Sequence, residues 1–185
     1  MGSPPPLFIT SSDDKLAEVE RLLGRSLKRA ALSLTEIQEL DVATVVLHKI
    51  QDAYKQLKLP VLVEDTGLSF DAWEGLPGAL IKWFLRSIGL DGLCRLLRNE
   101  TNRAATATTV FGYSDGTICK LFPGSVDGII VELPRGNAGF GWDAIFQPRG
   151  SERTFAEMSS QEKDRFSMRR LALEQLRRSG LLESW

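Results

Sequence analysis

The chain is poor in the residues that build the commonest metal centres and covalent staples. It has a single histidine, His48, so a His-rich zinc or iron site is excluded. Its two cysteines, Cys94 and Cys119, are too few for a disulfide framework and lack metal-ligand spacing. That usage fits a reducing, cytoplasmic setting. No apolar run reaches the ~18 residues of a membrane-spanning helix, and the N-terminus lacks a signal-peptide pattern. Net charge is only −1, which leaves no basic field for a long nucleic acid. Internal repeats and low-complexity segments are missing too. A metal, if bound, must therefore sit on carboxylates, which favours Mg²⁺, or Mn²⁺. An anionic ligand must be small enough for local lysines to gather around it.

What is present is ordinary for a globular protein: 185 residues, 43% hydrophobic and 25% charged. That suffices for one good-sized domain, placed here at 7–180. Residues 1–6, rich in Gly, Ser and Pro, read as a disordered or vector-derived leader, and 181–185 as a C-terminal tail.

The stretch Val61-Leu62-Val63-Glu64-Asp65-Thr66-Gly67 organises the rest. It reads as a buried strand delivering acids to its C-terminal end. Alternation puts Val61, Val63 and Asp65 on one face and Leu62, Glu64 and Thr66 on the other. Carboxylates beside a core strand need a metal, a cation or hydrogen bonds. The competing reading is a surface loop that starts early and leaves both acids solvated.

Around it, Leu7-Phe8-Ile9-Thr10 is a short strand running into a helix, with Ser11 and Asp14 as a capping box or Ser12 as the cap, and Gly24 as the stop. Lys15 in the first turn opposes the helix dipole and is rationalised by an anion nearby. Lys28 to Leu34 is a second strand, followed by a loop carrying Glu36. Val42 to Leu59 is a helix whose apolar stripe includes Lys49, which either finds an anion or snorkels out. His48 is beside the stripe, on the surface. Leu68 to Trp73 reads as a separate strand, Glu74 to Gly78 as a turn, and 80–88 and 90–98 as helices parted by Gly89, with Lys82 in the first. Ala104 to Tyr113 and Ile118 to Phe122 form a hairpin about Ser114-Asp115-Gly116-Thr117. Gly124 to Leu133 is β-rich towards its end, and Phe146 to Gly150 irregular. Ser159 and Glu162 cap a last helix with Met168, Leu171, Ala172 and Leu176 inward and with Lys163 and Ser167 sharing another face. In Phe140-Gly141-Trp142-Asp143, a ring beside glycine can stack on a base, or both aromatics can belong to the core.

Taken in order, the first strand and its helix N-terminus, Glu36, Lys49, Val63-Glu64-Asp65-Thr66-Gly67, Gly75-Leu76-Pro77-Gly78 with Ile81-Lys82-Trp83-Phe84, Phe140-Gly141-Trp142-Asp143 and Ser167-Met168-Arg169 closely resemble the inosine triphosphate pyrophosphatase (Ham1-like) family. The resemblance runs from about Leu7 to Leu176. It implies an α/β fold: an elongated mixed β-sheet with flanking helices and two lobes around a central cleft, usually in a homodimer. It implies a Mg²⁺-dependent hydrolase that sanitises the nucleotide pool, converting ITP, dITP and XTP to the monophosphate and pyrophosphate. By the same resemblance Glu36 and Asp65, with Glu64 nearby, match the metal-binding acids, and Asp65 also matches the residue that activates water. Thr10, Ser11, Ser12 and Lys15 match the phosphate loop, followed along the chain by Thr66. Lys49 and Lys163, with Lys82, match phosphate-binding lysines. Phe140, with Gly141 and Trp142, matches the base-stacking segment, and Asp143 and Arg169, with Ser167 and Met168, the base-reading one.

Two departures stand out. The family's Thr-Gly-Asn is Thr10-Ser11-Ser12 here, which stiffens the backbone and places Asp13 and Asp14 near a polyanion. Its Ser-His-Arg is Ser167-Met168-Arg169, and methionine offers a ligand no hydrogen bond. These departures motivate the alternatives: a degenerate nucleotide-binding homologue, or a pyrophosphatase of shifted base preference.

Overall fold

The computed structural model describes residues 4–181; the expected leader residues 1–3 and tail residues 182–185 lie outside the described residues. Its centre is one mixed sheet. β1 (Leu7–Ile9) pairs in parallel with β2 (Arg29–Ala30) and β3 (Val61–Phe70). β3, β5 (Ala104–Ser114), β6 (Cys119–Ile130) and β7 (Phe146–Pro148) continue antiparallel, and the two-residue β4 (Pro77–Gly78) pairs with the far end of β3. Among the described residues five α-helices flank the sheet: α1 (Asp13–Leu23), α2 (Val42–Leu57), α3 (Ile81–Leu96), α4 (Ser160–Phe166) and α5 (Met168–Arg178).

β3 does not stop at its acids. All ten of its residues pair with β5, from Val61 opposite Ser114 to Phe70 opposite Ala105. The carboxylates therefore fall in mid-strand, and the separate strand expected at Leu68 to Trp73 is the second half of β3 followed by a 3₁₀ turn, Asp71–Trp73. Gly67 is there for room: a Cβ would come within 2.6 Å of Val42 Cγ2 on α2. On its other edge β3 meets β1 only at Val61–Val63 and β4 only at Leu68 and Ser69. Among the described residues the edge of 64–67 is thus left without a strand partner.

The faces alternate as the pattern predicts. Val61 and Val63 pack with Val42, Val46 and Ile50 of α2, and Leu62 packs with Val19 of α1 and Leu173 and Leu176 of α5. A third core, containing Leu68, Phe70, Ile81, Trp142, Phe146 and Met168, lies at the other end of β3. Glu64 to Gly67 therefore bridges the cores.

Other differences have local causes. The second strand shrinks to Arg29–Ala30, since only those residues reach β1. The strands expected on either side of Pro123 are one, β6, because β7 covers only Gly128–Ile130 and Pro123 sits on an open edge where its missing N–H costs no ladder bond. The irregular segment after Ala144 contains β7. The last helix is two: Ser167, with extended backbone (φ −74°, ψ 122°), ends α4 and caps α5, so Lys163 and Ser167 do not share one helical face. Leu173 replaces Leu171 among its fully inward residues. Ser12, not Ser11, caps α1. Gly89, with non-helical backbone (φ 67°, ψ −175°), parts α3 into two helical segments, as the sequence predicts. Pro6 is buried, and His48 is half-buried, with no hydrogen-bond partner at Nδ1 among the described residues.

Candidate active site

The unpartnered stretch of β3 opens into a cleft of about 340 Å³. Its wall takes Lys15 from α1, Glu36 from the loop before α2, Lys49 from α2, Asp65 and Thr66 from β3, and Lys82 from α3. The far wall carries Phe140, Gly141, Trp142 and Asp143, with Lys163 and Arg169 from α4 and α5. Met168 also reaches it while buried in the third core, so packing has claimed this side chain, as its place on the helix stripe suggested.

Neighbouring carboxylates of β3 serve opposite faces. Asp65 Oδ2 accepts from Lys49 Nζ of α2 at 2.6 Å, and Asp65 Oδ1 accepts the Thr66 N–H at 2.8 Å along the open edge. Glu64 Oε1 accepts from Arg169 Nη2 of α5 at 2.9 Å and from the Thr66 hydroxyl. Lys15 reaches over the edge to both, 2.9 Å from Glu64 and 3.9 Å from Asp65. The anion that Lys15 called for is thus a carboxylate of the protein itself.

These contacts extend into a chain of alternating sign. Lys82 lies 2.9 Å from Glu36, Glu36 3.3 Å from Lys49, and Lys49 2.6 Å from Asp65. Beyond Lys15, Glu64 leads to Arg169, Arg169 to Glu18 at 3.0 Å, Glu18 to Lys163 at 3.4 Å, and Lys163 to Asp143 at 2.7 Å. Ser167 completes the cradle by donating to Glu18 Oε1 at 3.4 Å. Burial alone would raise the Glu64 carboxyl, but Arg169 and Lys15 hold it down to about 2. Glu18 follows the same pattern through Arg169 and Lys163, and Glu36 through Lys82 and Lys49. Lys49 would be lowered by burial, yet Asp65 keeps it raised. Asp143 goes the other way: burial pushes it up, and Lys163 offsets only part.

Glu18 was not among the expected residues. Lys15, Glu18 and Leu22 stand at i, i+3 and i+7 on one row of α1, and that row was the available signal. The apolar stripe of α1 drew attention away from it.

Phe140 stands half-exposed with Lys163 Nζ 4.8 Å and Arg169 Cζ 5.8 Å from its ring centroid. Gly141 at φ +62° has open space about its absent Cβ, so it is needed for the turn and leaves the backbone approachable. Asp143 closes that turn by accepting the Phe140 N–H at 2.9 Å. Trp142 is different: it packs against Phe146 and Phe155 in the core.

Some expected residues lie outside the cleft wall. Ser11 is exposed, Ser12 Oγ accepts the Lys15 N–H, and Thr10 Oγ1 accepts the Ser12 N–H. Asp13 turns to Arg29 of β2, away from the cleft. Glu64 and Ser167 stand behind the wall, holding Arg169 and Glu18. Among the described residues no three of His, Cys, Asp and Glu gather closely enough to hold a metal ion. Glu36 and Asp65 share Lys49, whereas Glu64 faces the opposite helix. Two carboxylates in a cleft lined by lysines still fit a hard divalent ion, because Mg²⁺ is commonly held by one or two carboxylates plus substrate phosphates.

A profile of the Ham1 family matches residues 7–179. An inosine triphosphate pyrophosphatase of Schizosaccharomyces pombe is 45% identical over 175 residues, covering 92% of each chain. Among solved structures, a HAM1 protein from Coxiella burnetii superposes with a TM-score of 0.79 at 28% identity, covering 98% of this chain and 100% of that one. A nucleoside-triphosphatase, or dITP/XTP pyrophosphatase, from Mycobacterium abscessus gives a TM-score of 0.74 at 28% identity, covering 94% and 98%.

Proposed function

The chain belongs to the Ham1 family, and from that premise we propose that it hydrolyses non-standard purine nucleoside triphosphates, ITP, dITP and XTP, to the monophosphate and pyrophosphate. The observation that carries the reading is the single cleft in which Asp65, Glu36 and their lysines meet Phe140, Lys163 and Arg169. Cations lining a pocket of this size suit a phosphate tail, and a half-exposed ring suits a base.

In this reading Lys15 and Lys49 exchange their carboxylate contacts for phosphate oxygens. Asp65, held by Lys49 and by the Thr66 N–H, orients the attacking water at the α-phosphorus and takes its proton. Glu36 and Asp65 would hold a divalent ion, Mg²⁺ or Mn²⁺, which when bound would neutralise charge on the phosphates and the leaving pyrophosphate. Phe140 stacks on the base. Arg169, clamped by Glu18 and Glu64 and with no hydrogen-bond partner at Nε among the described residues, offers donors only. Donors suit a 6-oxo purine and leave a 6-amino group unmatched, so adenine is disfavoured. The same reading gives a cytoplasmic homodimer of one domain per chain, on the strength of the family resemblance.

Pyrophosphate release from ITP in Mg²⁺ tests the activity, and Asp65→Asn is expected to lower turnover by at least about a hundredfold with the fold retained. Failure of the wild-type protein to release pyrophosphate from ITP, dITP or XTP would reject the reading.

A further inference from the structure

Lys82 is not the only cation that α3 brings to the cleft. Arg86 lines the same wall one helical turn further on, at i+4, so the two side chains share a row. The other cations of the wall, Lys15, Lys49, Lys82, Lys163 and Arg169, each lie within ion-pair distance of a carboxylate. Among the described residues no carboxylate stands within that distance of Arg86. Its contact is the ring of Trp83, 5.4 Å away, against which Lys82 Nζ also lies at 5.8 Å. Trp83 is 51% exposed, unusual for so large an apolar ring, and its cation contacts give it a purpose. The start of α3 points the same way: its first turn has no acidic residue and no side-chain cap, so that end of the helix favours an anion.

We propose that Arg86, seated against Trp83, binds the terminal phosphate of the triphosphate substrate, with Trp83 as its positioning residue. This assignment rests on the pyrophosphatase reading. In that reading attack occurs beside Asp65, and the ion chain runs outward from Asp65 through Lys49 and Glu36 to Lys82. Arg86 is exposed and stands one helical turn along α3 from Lys82, the outer member of that chain, so it is placed to meet the phosphate furthest from the scissile bond. A guanidinium can hold two oxygens of that phosphate at once. Among the described residues no other cation along this wall lacks a carboxylate partner.

The test compares wild type with Arg86→Gln, Arg86→Lys and Trp83→Ala. These are surface changes, so folding is retained. Steady-state kinetics on ITP are set beside IDP binding, and binding of inorganic tripolyphosphate is measured by calorimetry. Arg86→Gln is expected to raise the KM for ITP about tenfold with kcat within about twofold, and to weaken tripolyphosphate about tenfold, as loss of one charge-assisted contact does. IDP affinity stays unchanged. Arg86→Lys recovers part of the loss, and Trp83→Ala shifts the same quantities less. Equal weakening of ITP and IDP, or no change in either, would overturn the assignment while turnover by the wild type kept the functional reading intact. A wild type inert to ITP, whose tripolyphosphate affinity still fell in Arg86→Gln, would sink the functional reading and leave Arg86 as a polyphosphate contact. A wild type inert to ITP that also bound no tripolyphosphate would overturn both.

Discussion

The two ends of the ion chain are built from the same chemistry and live in different media. At one end Lys82 and Glu36 have side chains 46% and 41% exposed; towards the other, which closes on Lys163 and Asp143, Arg169 and Glu64 are each 1% exposed. A pair in water is screened and exchanges partners cheaply. A pair in the interior cannot lose a partner without leaving a charge stranded in low dielectric. The open end can therefore trade its internal contacts for phosphate and metal, whereas the closed end holds Arg169 and Lys163 beside Phe140 in one arrangement. Asp65 and Lys15 stand between them, which is where the chemistry is assigned.

Breaking the closed end should have the largest effect. Arg169→Met leaves Glu64 and Glu18 buried without their main partner, and is expected to cost about 3–5 kcal/mol. Urea unfolding of the mutant against wild type measures this. A loss below about 1 kcal/mol would mean that the two ends do not differ as described. Adding Glu64→Gln to that variant should restore part of the stability, since the stranded charge goes with it.

Acid should act chiefly on the closed end. The folded-state pKa of Glu64 is about 2 against an ordinary 4.5, so its contribution is complete above about pH 4.5 and drains away as pH falls towards 2. Asp143 works in the opposite sense. Its pKa is raised, so its ionisation counts against the folded state as pH climbs past the ordinary carboxylate range. Wild type should lose stability between pH 4.5 and 2 more steeply than the Arg169→Met, Glu64→Gln double variant. Denaturant midpoints across that range give the comparison, and parallel curves would contradict it.

How much of this could be read in advance follows the same division. Lys49 was visible because a lysine on the apolar stripe of α2 breaks an otherwise regular pattern. The opposed faces of Glu64 and Asp65 follow from strand alternation alone. Glu18 was hidden because its meaning comes from Lys163 and Arg169, about 145 residues away in sequence. The open edge of β3 was hidden for a similar reason. Gly67 looks like a terminator locally, and only the pairing with β5 and the close approach of Val42 show that the strand continues. Nor does Ser159 to Arg178 signal two helices, since Ser167 is an acceptable helical residue until Glu18 holds its hydroxyl and its own oxygen takes the Arg170 N–H. Local periodicity reports faces, whereas the buried network is made of distant partners.

The smallest stability effect belongs to the open end, and there a binding measurement sharpens the contrast. Lys82→Met removes a half-exposed pair and should change stability by less than about 0.5 kcal/mol. Its effect on metal should be larger and opposite in sign to that of losing a binding residue. Glu36 is held by two lysines, Lys49 and Lys82, and a divalent ion must compete with both for its oxygens. Removing Lys82 leaves Glu36 with one competitor, so Mn²⁺ affinity without nucleotide should rise several-fold, by calorimetry. Affinity for the triphosphate should fall in the same variant, because a cation has been taken from its tail. If Lys82→Met weakened both ligands alike, Glu36 and Lys82 would be acting as separate contacts, and the exchange of partners inferred for the open end would not occur.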